Sequence, residues 1–110
     1  SDEKTKALFS HLREKIVALD QEIREEPKKH YIAYKLATNF VDLKVRGKDI
    51  KIFLNLKSGQ LHDPKGIARD LTKPKYVGHW GNGDYEIKMN SESDLSDVFE
   101  LIKQSYDLNK

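Results

Sequence analysis

Residues 39–56, Asn-Phe-Val-Asp-Leu-Lys-Val-Arg-Gly-Lys-Asp-Ile-Lys-Ile-Phe-Leu-Asn-Leu, constrain the fold of this chain more than any other stretch. Val41, Leu43 and Val45 alternate with Phe40, Asp42 and Lys44; Ile50, Ile52, Leu54 and Leu56 alternate with Lys51, Phe53 and Asn55. A period of two means two strands, each with one buried face. A two-residue turn at Gly47-Lys48, of type II′ with glycine at the position needing positive φ, pairs Val45 with Ile50, Leu43 with Ile52 and Val41 with Leu54. Turn and pattern choose the same register, which a slip of one residue would turn inside out.

The chain has 110 residues, the size of one domain with one core, and it begins Ser1-Asp2, as a domain cut from a longer protein would. Only 37% of residues are apolar and 35% are charged, so the core must be built by strict segregation onto inward faces. Cysteine is absent. That excludes disulfides and thiolate metal sites and fits a reducing, cytoplasmic setting. No apolar run approaches the roughly 18 residues of a membrane span.

Around the hairpin, Leu8, Leu12, Ile16, Leu19 and Ile23 predict an amphipathic helix over 4–24, which Pro27 cannot continue. Residues 30–36 read as a strand with Ile32, Tyr34 and Leu36 inward. Asp63-Pro64 suits a helix start, with Ile67, Ala68 and Leu71 as its apolar stripe and Pro74 as its stop. A last strand covers 84–89, and Ser91 with Asp94 resembles a capping box opening a helix whose face is Leu95, Val98, Phe99, Ile102 and Tyr106. The order α-β-β-β-α-β-α predicts an α+β fold: an antiparallel sheet of about four strands packed under N- and C-terminal helices.

The predicted open face of this sheet carries Tyr31, Lys35, Phe40, Asp42, Lys44, Lys51, Phe53, Asn55, Glu86 and Lys88. Net charge is only +2, yet residues 28–57 carry +6 and residues 81–110 carry −4. Lys35, Lys44, Arg46, Lys48 and Lys51, with Phe40, Phe53 or Trp80 as stacking surfaces, have the make-up of a face that binds single-stranded nucleic acid, although no RNP signature is present. The same lysines also serve to protect a sheet edge from unwanted pairing. Gly78-His-Trp-Gly-Asn-Gly-Asp84 holds three glycines in a Gly-x-x-Gly-x-Gly order followed by a strand, so it is neither a dinucleotide fingerprint nor a P-loop. It reads either as a ligand loop or as a turn closed at Asn82-Gly83. Asp63 with Glu86-Ile87-Lys88 resembles the acid and Glu-x-Lys pattern of metal-dependent nucleases, but Asp63 is better used as a cap. His11, His30, His62 and His79 are scattered, so no metal site, cofactor or catalytic residue is assigned.

With Leu61-His-Asp-Pro-Lys-Gly-Ile-Ala-Arg-Asp70 and the 78–84 segment both present, the chain resembles a prokaryotic domain family of unknown function whose members are often labelled "predicted transport protein". The resemblance implies a small α+β domain, found alone or C-terminal to restriction-endonuclease-like domains, and no established catalytic residues. If the family motif marks a site, it maps onto Asp63, Lys65, Arg69, Asp70, His79, Trp80, Asn82 and Asp84; Arg69 with Asp70 serves equally as a salt-bridged brace. Sequence therefore favours a non-enzymatic accessory domain that binds nucleic acid, or a parent nuclease-like domain, through a basic sheet face. The alternatives are a small-molecule or protein-binding module using loop 76–84 and helix 63–71, and a metal-dependent nuclease.

Overall fold

The computed structural model describes residues 2–73 and 83–110. Helix α1 (Glu3–Val17) is followed by strands β1 (Arg24–Pro27), β2 (Ile32–Lys35), β3 (Asn39–Val45), β4 (Ile50–Leu54), β5 (Arg69–Asp70) and β6 (Tyr85–Met89). A single 3₁₀ turn (Glu92–Asp94) then leads into helix α2 (Leu95–Asn109). The strands form one sheet in the order β1-β2-β3-β4-β6-β5, every neighbouring pair antiparallel. The α+β class holds, with six strands rather than four and one of the three expected helices missing.

The β3–β4 register is the one the alternation predicts: Val41 opposite Leu54, Leu43 opposite Ile52, Val45 opposite Ile50. The turn is not type II′, because Gly47 does not take a positive φ. It is closed instead by the Arg46 amide donating to the Asp49 carbonyl and by the Arg46 guanidinium on the Asp49 carboxylate at 2.6 and 2.7 Å. The Gly47 carbonyl accepts from the Asp2 amide and the Thr5 hydroxyl, tying the turn to the start of α1.

One face of the sheet is sealed by the helices. Leu8, Leu12 and Ile16 of α1 and Val98, Leu101 and Ile102 of α2 bury against Leu43, Ile50, Ile52, Leu54, Ile87 and Met89. Each such side chain contributes roughly 1.5–3 kcal/mol of burial.

Three expectations are corrected here. The helix predicted over 4–24 ends at Val17, although Leu19 and Ile23 keep the helical spacing and pack against the core. Asp20 is the cause: its carboxylate accepts from the Glu22 amide at 2.9 Å and from the Tyr106 hydroxyl at 2.9 Å, offering the backbone an alternative to the helix. The freed chain becomes edge strand β1, fixed by Glu25, which accepts from Arg13 Nε at 2.6 Å and from the buried Tyr34 hydroxyl at 2.6 Å.

The segment predicted as helix 63–71 is a loop ending in β5. Asp63 does cap, but it accepts from the Ile67 and Ala68 amides, four and five residues on, and Gly66 sits at φ +63°, which closes a turn rather than propagating a helix. Phe40, expected on the open face, is fully buried in the core. The register shifts between Tyr34 and Lys35, so Phe40 and Val41 both join the core, and Phe40 meets the Tyr106 ring edge-on at 5.5 Å.

At the start of α2 the Ser91 hydroxyl accepts from the Ser93 amide as an N-cap, whereas Asp94 makes no side-chain capping bond.

Candidate functional site

The face turned away from the helices is organised by the sheet register into two transverse rows. The first runs Glu26, Ala33, Asp42, Phe53, Glu86, Arg69 across β1, β2, β3, β4, β6 and β5. The second places Lys44, Lys51 and Lys88 directly abreast on β3, β4 and β6. Alternation puts both rows on one side of the sheet, because Lys44 is two residues from Asp42, Lys51 two from Phe53 and Lys88 two from Glu86.

Glu86 is the anchor of this surface. Its side chain is 9% exposed, and its carboxylate holds Lys51 Nζ at 3.0 Å. Arg69 stands opposite it on β5, and Ile67, Arg69, Glu86 and Lys88 line a hollow of about 250 Å³. Lys51 is thus paired with this largely buried carboxylate, while Arg69 and Lys88 only share the hollow with it. Lys88 and Arg69 are exposed and form no ion pair among the described residues.

The remaining predicted residues fall into distinct places. Lys35 lies at the register shift between β2 and β3, 3.7 Å from the Glu26 carboxylate, which also holds Lys28 at 3.2 Å. The Lys28 contact is the main cause holding Glu26 below the usual carboxylate range. Lys48 is exposed at the hairpin turn. Arg46 is committed to Asp49, whose acidity it strengthens. Phe53 is 3% exposed and Phe40 is fully buried, so neither presents a ring for stacking. His79, Trp80 and Asn82 lie outside the described residues.

The acids of the two sequence motifs are spent on the chain itself. Asp63 holds the Ile67 and Ala68 amides at 3.0 and 2.8 Å. Asp70 accepts from the Ser58 hydroxyl and from the Thr72 amide and hydroxyl, and the Ser58 bond is the foremost cause of its lowered pKa. Asp84 accepts from the Ser58 amide at 2.9 Å. Ser58 therefore stitches the two motifs together, a role its place in the broken pattern after Leu56 did not announce. Arg69 and Asp70, neighbours on β5, point to opposite faces, and most of the glycine-rich loop that the pair was expected to brace lies outside the described residues.

Gly83, at φ +79°, lies where a Cβ would come within 2.0 Å of the Leu54 carbonyl oxygen. This glycine is required by the close approach of the chain to the end of β4.

A second hollow, of about 200 Å³, lies between loop 61–68 and α2 and includes Asp63, Lys65, Asp97 and Glu100 among its lining. Asp63 lines this hollow rather than the one containing Glu86 and Lys88, so the acid and Glu-x-Lys pattern is not assembled there. Among the described residues no group of three or more His, Cys, Asp or Glu is placed to hold a metal ion. No described helix is long and apolar enough to cross a membrane.

Residues 1–109 match the family described as "Domain of unknown function (DUF5655)", and the chain belongs to it. An uncharacterized protein of Haemophilus influenzae (strain Rd KW20) is 40% identical over 98 residues, 89% of this chain and 32% of that protein. The chain thus spans about a third of the length of this relative. No solved structure matches it. Neither the family's description nor the relative's name mentions transport or a restriction enzyme.

Proposed function

We propose that this domain is a non-enzymatic accessory module that seats the phosphate backbone of a nucleic acid along the lysine row of the sheet face turned away from its helices, in the service of a larger nucleic-acid-processing protein. The observation that supports this reading is the row of Lys44, Lys51 and Lys88 on three adjacent strands. Like charges placed directly opposite each other across a sheet repel; Glu86 balances Lys51, and a polyanion laid over the row offsets the repulsion that is left. Strands stand about 4.8 Å apart, so the row spans about 10 Å, the axial length of about three phosphates of one strand.

Phe40 and Phe53 are buried and offer no stacking surface, so the sheet contact is carried by backbone charge and tolerates many sequences.

The test is fluorescence anisotropy of labelled single- and double-stranded oligonucleotides between 50 and 200 mM salt. Three phosphate contacts predict a roughly 20- to 40-fold loss of affinity across that range. The Lys44→Glu, Lys88→Glu double variant is expected to lose at least about tenfold at 50 mM. Undetectable binding by the unaltered domain at 50 mM, or an unchanged affinity in the double variant, overturns the proposal.

A further inference from the structure

The hollow between loop 61–68 and α2 lies apart from the lysine row and has a different chemistry. Its floor is apolar, from Pro64, Ile67 and Leu101, and its rim carries Asp97 and Glu100 of α2 with Lys65 of the loop. At about 200 Å³ it is smaller than the 300–1,000 Å³ typical of pockets for drug-sized ligands. It has room for one long side chain.

The walls are built before any ligand arrives. Gln104 clasps the loop through both ends of its amide, accepting from the His62 amide and donating to the His62 carbonyl, each at 2.8 Å. Asp63 holds the Ile67 and Ala68 amides, and Gly66 makes the left-handed turn between them. A preformed seat spares the ordering cost of binding.

The rim already shows what it accepts. Lys65 Nζ lies 3.1 Å from both oxygens of Asp97, with side chains 66% and 45% exposed. An ion pair that exposed contributes little net free energy, so a competing cation displaces it cheaply. Glu100 forms no ion pair among the described residues.

We infer that this hollow receives a lysine or arginine side chain from a partner protein, the alkyl stem lying on Ile67 and Leu101 and the cationic head on Asp97 and Glu100. Lys65 then acts as an internal placeholder. The chemistry matches the way long cationic side chains bury their stems while their heads meet carboxylates.

The experiment is a ¹H–¹⁵N NMR titration of the domain with the peptides Ac-Gly-Arg-Gly-NH₂, Ac-Gly-Lys-Gly-NH₂ and the neutral control Ac-Gly-Gln-Gly-NH₂. Shifts confined to amides 62–68 and 97–104 are expected with at least one cationic peptide and not with the control. Glu100→Gln is expected to weaken binding at least threefold, and Lys65→Ala to tighten it, a gain that a merely structural ion pair does not produce. Both substitutions lie on exposed side chains. Equal shifts with the control, no effect of Glu100→Gln, no tightening with Lys65→Ala, or no shift at 20 mM peptide each overturn the inference.

Discussion

Two glycines show how little the type of a residue says without its surroundings. The hairpin pattern asks a positive φ of Gly47, yet it has none, and nothing lies within 4 Å of the position its Cβ would take. Gly83 has φ +79°, and its Cβ would overlap the Leu54 carbonyl oxygen and press on Asn55 and Leu56. The neighbours are backbone atoms of the central hairpin, which cannot step aside as a flexible side chain would. Gly83→Ala is therefore expected to cost at least about 2 kcal/mol, from the disfavoured φ and the clash together. Gly47→Ala is expected to lie within about 0.5 kcal/mol of the unaltered domain. Urea unfolding of both variants checks this, and equal costs would show that the approach of Gly83 to β4 is not a fixed feature of the fold.

Among the elements, those whose stability comes from alternating burial were legible and those held by polar side chains were not. The β3–β4 register could be read because six apolar positions keep step with the pleat. Strand β1, Arg-Glu-Glu-Pro, has no apolar alternation at all and is held by charge. Loop 61–68 carries apolar residues at helical spacing, but the amides captured by Asp63 and the left-handed Gly66 decide its path. The lysine row was legible as a face, and its alignment became visible only with the β4–β6 pairing.

The polar clamp on β1 has a measurable pH signature. Hydrogen bonding from Arg13 is the largest cause holding Glu25 below its ordinary value, with the Tyr34 hydroxyl adding to it against the cost of burial. A carboxylate with a lowered folded pKa stabilises the fold above its unfolded pKa, near 4.5, and that stabilisation is lost as pH falls through the lower folded value. Glu25→Gln is thus expected to lower stability at pH 7 and to make the decline below about pH 4.5 shallower. Thermal melts at pH 7 and pH 3 test it: a variant that loses as much stability on acidification as the unaltered domain would remove Glu25 from the acid response. Within loop 61–68, Asp63→Ala leaves two amides without their acceptor and is expected to cost about 1–3 kcal/mol by urea unfolding.

For the molecule as a whole, the sheet separates two unlike charge environments. The face turned away from the helices, buried along Ala33, Asp42, Phe53 and Glu86, carries Lys44, Lys51 and Lys88 in its next row, while α2 and loop 61–68 present the acidic hollow. Lys44 stands on β3, three strands from β5, where that loop ends. At about 4.8 Å per strand the separation is about 14 Å, beyond the Debye length of about 8 Å at physiological ionic strength. Charge reversal at Lys44 should therefore be felt by a polyanion lying on the row and not by a cation in the hollow, since substitutions this far apart without shared partners act additively. The expected outcome at 150 mM salt is that Lys44→Glu weakens oligonucleotide binding several-fold while changing the affinity for Ac-Gly-Arg-Gly-NH₂ by less than twofold, with Glu100→Gln showing the reverse pattern. Ile67, which lines both hollows, is the one described residue through which the two are in contact. If Lys44→Glu and Glu100→Gln each alter both affinities, the two faces are coupled through that edge of the sheet, and the picture of independent surfaces fails.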